Sequence, residues 1–212
     1  MCADAPHIPP PMKFPSKILA LVALGSGLAT AASAAVETYV IDPVHSSVAF
    51  SIRHFVSKVP GAFTKFSGTI LVDRDNLENS SVEATIDVGS LNTFNDHRDA
   101  DLKTPIYFDA AKFAAITFKS TSWKKTGDNM FDVTGDLTIK GVTKEVVLKT
   151  TLLAFGRGMR GAQLSGWEAT TTIKKSDFGV TGPAMLGAAL GDDVAISIGV
   201  EADMKKDADA SK

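Results

Sequence analysis

The chain has 212 residues and a formal net charge of -2 at pH 7, from 22 Lys and Arg against 24 Asp and Glu. A nucleic-acid-binding surface needs a clustered basic excess, so this balance argues against one. Hydrophobic residues make up 44% and charged residues 22% of the chain, which excludes a largely disordered protein. The single cysteine excludes an internal disulfide framework and any multi-cysteine metal site.

The first 34 residues have the pattern of a secretory signal peptide. Two lysines precede the apolar stretch 18–24, and a run of small residues ends in Ala-Ser-Ala at 32–34. A positive start, a short apolar middle and an A-x-A end are typical of such a peptide, and a buried helix is the alternative interpretation. We therefore expect residues 1–34 to be removed, with Met12 as an alternative start. Residues 35–212 should then form a single domain without a permanent membrane span.

Eight later segments indicate an all-β protein. Side chains in a strand point alternately to opposite faces, so alternating apolar and polar residues indicate a strand with one buried face. The segments, of which the sixth is apolar on both faces, are 46–54, 66–72, 82–88, 116–119, 131–139, 147–155, 167–173 and 194–202. Turn-like sequences between most of them favour antiparallel pairing. The lack of long amphipathic helices argues against a parallel sheet and leaves a sandwich or a closed barrel.

Two connections, residues 90–114 and 176–192, are longer than the others. We expect a short helix in each. In the second, Pro183 stands near the expected helix start and Gly191 beyond its end, which are the usual terminal signals. Long connections in compact domains are often lids or binding loops. Plugging the barrel ends is an alternative role, and the two roles are compatible.

The order of several short motifs resembles that of the YceI-like family and covers nearly all of the chain after residue 38. The motifs are 39–48 (YVIDPVHSSV), 50–54 (FSIRH), 59–63 (VPGAF), 66–68 (FSG), 97–102 (HRDADL), 108–109 (FD), 116–120 (ITFKS), 135–143 (GDLTIKGVT), 176–179 (SDFG) and 191–194 (GDDV). The resemblance implies a lipocalin-like, extended antiparallel β-barrel, usually periplasmic in Gram-negative bacteria. It also implies binding of polyisoprenoid or other long amphiphilic lipids inside the barrel. No catalytic residues are established for the family as a whole, so none is carried over to this chain, and we expect no cofactor.

An apolar barrel interior would hold an isoprenoid tail, since burial of each methylene-sized group contributes roughly 0.8 kcal/mol. The wall would come from the apolar faces of the predicted strands. In a filled barrel the same residues would be core and would touch no ligand. The predicted wall consists of Val48, Phe50, Ile52, Phe66, Ile70, Val82, Ile86, Ile116, Phe118, Ile196 and Ile198.

Three polar side chains are candidates for the mouth of the barrel. His54 shares an apolar face, so it is either a core histidine with a hydrogen-bond partner or a contact for a head group. His97 and Arg98 lie in the first long connection, where they would meet a phosphate or quinone head, form an internal pair or remain solvated. His45 follows Asp42 at a strand start, where it would stabilise a bend. Three histidines after residue 34, without an i,i+4 pair or a cysteine, predict no metal site.

We therefore expect a periplasmic carrier that binds a polyisoprenoid or similar lipid and is not an enzyme. Two alternatives stay open. His54 or His97 would be the acid or base of an enzyme acting on a lipid or quinone derivative, or the barrel would be a stress-related scaffold for a protein partner, recognisable by an exposed apolar patch. Exposed edge strands would also allow a homodimer.

Overall fold

The computed structural model describes residues 36–187 and 189–205. The predicted signal peptide, residues 1–34, lies outside this part of the chain, so its removal and the domain boundary remain predictions. One α-helix occurs among the described residues, α1 (Asp96–Leu102), and no helix there is long and apolar enough to cross a membrane. The strands are β1 (Glu37–Ile41), β2 (Ser47–His54), β3 (Ser57–Phe63), β4 (Phe66–Val72), β5 (Ser81–Asp87), β6 (Leu91–Asn92), β7 (Ala115–Gly127), β8 (Met130–Ile139), β9 (Val142–Arg157), β10 (Gln163–Lys174) and β11 (Leu190–Met204).

The sheet closes on itself into a barrel. Hydrogen-bonded neighbours follow the order β1-β4-β5-β7-β8-β9-β10-β11, and β11 pairs with β1 again. These pairings are all antiparallel. The closing contact is short, with Tyr39 opposite Met204 and Ile41 opposite Ala202. The predicted antiparallel β-barrel is therefore confirmed, and the sandwich is excluded.

Eleven strands occupy only eight positions around the barrel, because at three positions two consecutive short strands take the place of one long strand. β2 and β1 pair with the same edge of β11, β2 along residues 190–199 and β1 along residues 202–204. β3 and β4 pair in turn with β2 and β1, and β6 and β5 pair with β3 and β4. Each interrupted pair thus acts as one long strand, which agrees with the predicted number of about eight. The separate strands β1, β3 and β6 were not predicted from the sequence.

Aromatic rings fill the space that glycines leave on neighbouring strands. Gly61 of β3 lies opposite Phe50 of β2, and a Cβ atom at position 61 would meet the Phe50 ring. Gly135 of β8 lies opposite Ser120 of β7, and a Cβ atom at position 135 would meet the ring of Phe118, two residues before Ser120. The two glycines therefore let large inward-facing side chains lie close against the backbone of the barrel wall.

The two ends of the barrel differ in structure. At the tryptophan end, defined by Trp123 and Trp167, the two indoles pack edge to face with ring centroids 5.5 Å apart. At the opposite helix end, the two long connections carry α1 and a short 3-10 helix, Ala184–Leu186. Both connections therefore contain a short helix, as predicted. The second helix follows Pro183 and ends before Gly187 rather than at Gly191.

We expect Gly61→Val to destabilise the fold by about 1–3 kcal/mol, because the Phe50 ring must leave its place over the backbone. Urea unfolding monitored by circular dichroism measures the change. Gly156→Val on β9 is the matched control, since position 156 is exposed and open space surrounds it. The control should change stability by less than about 0.5 kcal/mol. Equal losses in the two variants would contradict this account of the Phe50 packing.

Candidate ligand-binding cavity

A cavity of about 480 Å³ runs along the barrel interior. This volume falls within the range of small-molecule sites, about 300–1,000 Å³. The lining is mainly apolar and comes from the inward faces of strands all around the barrel, among them β2, β4, β5, β7 and β11. The inward-facing side chains therefore do not fill the barrel, and its interior has room for a ligand.

All eleven predicted wall residues line this cavity. Each lies on the inward face that the alternation indicated, and Ile70 and Ile116 are only 4% exposed. The cavity lining includes Val48, Phe50, Ile52, Phe66, Ile70, Val82, Ile86, Ile116, Phe118, Ile196 and Ile198. Their position is thus established, whereas their contact with a ligand remains a prediction.

The sequence analysis did not select three of the lining residues at the tryptophan end. Trp123, Trp167 and Thr150 line the cavity there and are 6%, 3% and 7% exposed. Trp167 belongs to a predicted alternating strand, so the pattern was sufficient to find it. Trp123 follows a register shift between Ser120 and Ser122. Such a bulge moves the next residues to the other face, so simple alternation assigns Trp123 wrongly.

A polar network seals the tryptophan end from outside. Arg74 lies over Phe155, with its Cζ atom 4.1 Å from the ring centroid, and its Nε donates to Glu37 Oε2 at 2.6 Å. Arg74 Nη2 also donates to the Tyr39 hydroxyl at 2.6 Å, and this hydroxyl donates to Glu37 at 2.8 Å. Burial raises the pKa of Tyr39, so the hydroxyl remains a donor at neutral pH. Phe155 in turn packs edge to face against Trp167.

The cavity reaches the surface at the helix end. Asp101 lines it although 60% of the Asp101 side chain is exposed. His54, Arg98 and Lys175 also line the cavity and are partly exposed. The lining residues at the tryptophan end are buried or partly buried. The mouth of the cavity is therefore polar, and the opposite end is closed.

Helical periodicity decides which residues of α1 face the cavity. Arg98, Asp101 and Leu102 are three and four residues apart, so they share one face of the helix, and all three line the cavity. His97 lies on another face: its side chain is 89% exposed and its Nδ1 is 3.3 Å from Asp101 Oδ2. Of the three predicted mouth residues, the structure thus brings His54 and Arg98 to the cavity and leaves His97 outside its lining.

Thr93 holds Arg98 in place at the mouth. Arg98 Nε donates to Thr93 Oγ1 at 2.8 Å, and Arg98 Nη2 donates to the Thr93 carbonyl at 2.7 Å. The buried Asp99 accepts from the Thr93 amide at 2.8 Å and from its hydroxyl at 2.5 Å. Arg98 and Asp99 therefore share Thr93 and do not pair with each other. Among the described residues no carboxylate forms an ion pair with Arg98, and the Thr93 hydroxyl bridges its guanidinium to the buried Asp99 carboxylate.

The rim of the mouth also exposes apolar side chains. Phe55 and Val56, in the turn between β2 and β3, are 60% and 102% exposed, and Met185 in the second long connection is 86% exposed. The His54 ring packs edge-on against Phe55, with centroids 4.9 Å apart, and has no hydrogen-bond partner among the described residues. His54 is therefore not the satisfied core histidine that was one of the two interpretations.

A cluster of potential metal ligands lies outside the cavity, at the bend between β1 and β2. Ligand atoms of Asp42, His45 and Glu201 are within 4.8 Å of one another. Asp42 Oδ2 lies 2.6 Å from His45 Nδ1, and Asp42 Oδ1 accepts from the Val44 amide at 2.8 Å. The Ser46 hydroxyl donates to the Glu201 carbonyl and accepts from the Glu201 amide. These contacts stabilise the bend between β1 and β2, which is the structural role expected for His45.

The bend predicts a pH dependence. The hydrogen bond with Asp42 raises the pKa of His45 above 6.5, and the same bond lowers the pKa of Asp42 below 3.8. Stabilisation by protonated His45 is complete below pH 6.5 and is lost as the pH rises through its raised pKa. Stabilisation by ionised Asp42 is present above pH 3.8 and is lost as the pH falls through its lowered pKa.

We therefore expect the pair to stabilise the bend most between these two values, and Asp42→Asn to lower the pKa of His45 toward 6.5. An NMR titration of the His45 ring protons measures this change. Asp128→Asn, in the exposed turn before β8, is the control and should leave the His45 titration as it is. An unchanged titration in Asp42→Asn would show that the hydrogen bond does not form in solution.

Thr93→Val tests the network at the mouth. The substitution removes a donor to buried Asp99 and an acceptor for Arg98, so we expect a loss of about 1–3 kcal/mol in the free energy of unfolding. Thr117→Val, at an exposed position of β7, is the matched control and should cost less than about 0.5 kcal/mol. Urea unfolding of both variants measures the difference, and a neutral Thr93→Val would refute the network.

The sequence and the fold have relatives among known proteins. A UPF0312 protein of Pseudomonas savastanoi pv. phaseolicola is 38% identical over 170 residues, which cover 79% of this chain and 88% of that protein. BcnA of Burkholderia cenocepacia has a TM-score of 0.70 at 26% identity, covering 76% of this chain and 98% of BcnA. A polyisoprenoid-binding domain from Saccharophagus degradans, implicated in plant cell wall breakdown, has a TM-score of 0.63 and covers 79% of this chain and 98% of that domain.

The Saccharophagus domain is 15% identical in sequence, so this likeness concerns the fold alone. Residues 39–202 match the family model of the YceI-like domain. This match begins within β1 and ends within β11, and it includes all of the residues that line the cavity. The chain belongs to the YceI-like family.

Proposed function

We propose that this protein binds a long-chain amphiphile of the polyisoprenoid type inside its barrel, and that it carries or sequesters this lipid without catalysis. The observation that carries the proposal is the apolar cavity of about 480 Å³ with one polar mouth. The shared fold with a polyisoprenoid-binding domain supports this ligand class. The predicted signal peptide supports a periplasmic location.

The cavity volume sets how much of a chain the barrel encloses. A water molecule occupies about 30 Å³ in the liquid, and a methylene group is of similar size. The cavity of about 480 Å³ thus holds on the order of 16 such groups, or roughly three isoprene units. Their burial contributes about 13 kcal/mol, against a cost of about 4–15 kcal/mol for lost freedom on association. Longer chains must extend through the mouth.

The mouth offers contacts for a polar part of the ligand near the surface. Arg98 has no ion-pair partner and His54 no hydrogen-bond partner there among the described residues. Lys175 lies beside them in the lining. Phe55 and Met185 are exposed at the same end and provide apolar contact for a chain that leaves the cavity or enters it.

A chain-length series tests the proposal. We expect affinity to rise at least about tenfold from geraniol to farnesol, because five more carbons are buried, and to rise much less from farnesol to geranylgeraniol. Native mass spectrometry of protein purified without detergent should also show a bound lipid. Protein that is always empty and binds none of the three alcohols would refute the proposal.

A blocking variant tests whether the cavity is the site. Ala84 lines the cavity from β5, so Ala84→Phe should lower the affinity for farnesol by at least about tenfold through lost volume and overpacking. Thr85→Phe is the matched control, because the neighbouring residue is exposed on the outer face of the same strand. Equilibrium dialysis measures both affinities. An equal effect of the two variants would place the ligand elsewhere.

A further inference from the structure

Exposed apolar side chains surround the mouth of the cavity, and we call them the apolar rim. They lie in the turn between β2 and β3 and in the two long connections, all at the helix end. Except for Val56, which follows Phe55, each is a chain neighbour of a residue in the cavity lining. Phe94 and Ile106 are 77% and 47% exposed. The apolar rim consists of Phe55, Val56, Phe94, Ile106 and Met185.

Backbone hydrogen bonds join the three segments that carry the apolar rim. The Phe55 amide donates to the Ala189 carbonyl at 2.7 Å, which ties the turn to the second long connection. The Gly182 amide donates to the Ile106 carbonyl at 3.3 Å, which ties the second connection to the first. Single exposed apolar residues are normal, but apolar residues gathered on one surface mark an interaction site. The apolar rim is therefore a candidate docking surface.

Two rim residues have an unfavourable backbone conformation. Phe55 and Phe94 have φ angles of 48° and 62°, a region that glycine and asparagine adopt far more readily than bulky residues. Both side chains are mostly exposed, so packing in the barrel core does not account for a phenylalanine at either position. Strained residues are common at binding sites. The two rings therefore point to a contact outside the barrel.

The turn between β2 and β3 also has a basic charge. Residues 47–65, which include both strands, contain no Asp or Glu. Arg53 and Lys58 flank the tip formed by Phe55 and Val56, both are exposed, and neither forms an ion pair among the described residues. Arg53 Nη1 donates to the Phe55 carbonyl at 3.1 Å. An apolar tip between two cations suits the surface of a bilayer, where apolar groups pass the head groups and cations meet lipid phosphates.

The charge on α1, at the other side of the mouth, is different. Asp96 and Asp101 are exposed there, and Asp101 Oδ2 lies 3.3 Å from His97 Nδ1. The basic part of the rim is thus confined to the turn. Apolar insertion should therefore contribute most to docking, and anionic lipids should strengthen it through the turn.

A bilayer fits this surface better than a protein partner. The apolar rim encircles the opening of the cavity, so a protein seated on it would cover the mouth and block the path of a ligand. A bilayer instead accepts an apolar chain directly, so the chain passes between membrane and barrel without exposure to water.

We propose that the apolar rim docks on the surface of a lipid bilayer, with the tip of the β2–β3 turn inserted among the head groups and the mouth open toward the membrane. This inference goes beyond the proposed function, because it concerns where a ligand enters the barrel. Docking itself does not require that a ligand is bound.

Flotation with vesicles of equal parts phosphatidylcholine and phosphatidylglycerol tests the docking. The unsubstituted protein should float with the vesicles. Val56→Ser combined with Phe94→Asn should weaken this binding at least about tenfold, because two apolar side chains no longer enter the bilayer. Asparagine suits the backbone at position 94. Leu153→Asn combined with Met159→Ser is the matched control, since both residues are exposed on β9 and the turn after it, away from the mouth. The control should bind as the unsubstituted protein does.

Charge substitutions test the orientation independently. Arg53→Gln combined with Lys58→Gln should weaken binding to the mixed vesicles at least about fivefold and leave binding to pure phosphatidylcholine vesicles as it is. Lys124→Gln combined with Lys125→Gln, at exposed positions of β7, is the control and should change neither. Equal effects of the two charge variants would overturn the proposed orientation.

Three results would overturn the docking itself. They are the absence of vesicle binding by the unsubstituted protein, equal binding by the rim variant and its control, and a dimer that the rim variant dissociates without a change in vesicle binding. Equilibrium dialysis with farnesol, in the absence of vesicles, separates this inference from the proposed function. Protein that binds farnesol but not vesicles would overturn the docking alone, whereas protein that binds vesicles but none of the three alcohols would overturn only the proposed function.

Discussion

Closure of the sheet through β1 is the constraint on which the cavity depends. β1 is only five residues long, yet it pairs with β4 along one edge and with β11 along the other. An open sheet would bury the same apolar faces by packing against another layer, which leaves no interior. Tyr39, in the middle of β1, is fully buried, and its hydroxyl is bonded to Arg74 and Glu37. The network that seals one end therefore also anchors the closing strand.

Alternation in the sequence predicted the strands of the barrel where they are regular. The bounds of β4 coincide with the alternating segment 66–72. β3 escaped prediction because Pro60 and Gly61 interrupt its apolar alternation, and β1 is too short for the pattern to stand out. Closure was not predictable from alternation, since it depends on a pairing between residues as distant as Tyr39 and Met204. The family resemblance, rather than the periodicity, indicated a barrel.

Alternation also predicted the inward face of the site more fully than its ends. It reveals which side of a strand is apolar, but whether that side encloses space depends on small residues such as Ala84 and Ala169 around the ring. The sequence placed His97 at the mouth because it did not reveal which face of α1 points inward. In the structure, His97 faces solvent and Arg98 faces the cavity. Trp123 was concealed by the bulge in β7, whose position depends on pairing with β8.

The placement of the two indoles has a practical consequence. Trp123 and Trp167 are the only tryptophans in the 212 residues, and both line the barrel interior. Indole emission responds to the polarity and the quenching groups of its immediate surroundings. All of the tryptophan fluorescence of the unlabelled protein therefore arises at the tryptophan end of the barrel interior, with no contribution from elsewhere in the chain. A change in the intrinsic fluorescence thus reports directly on what binds inside the barrel.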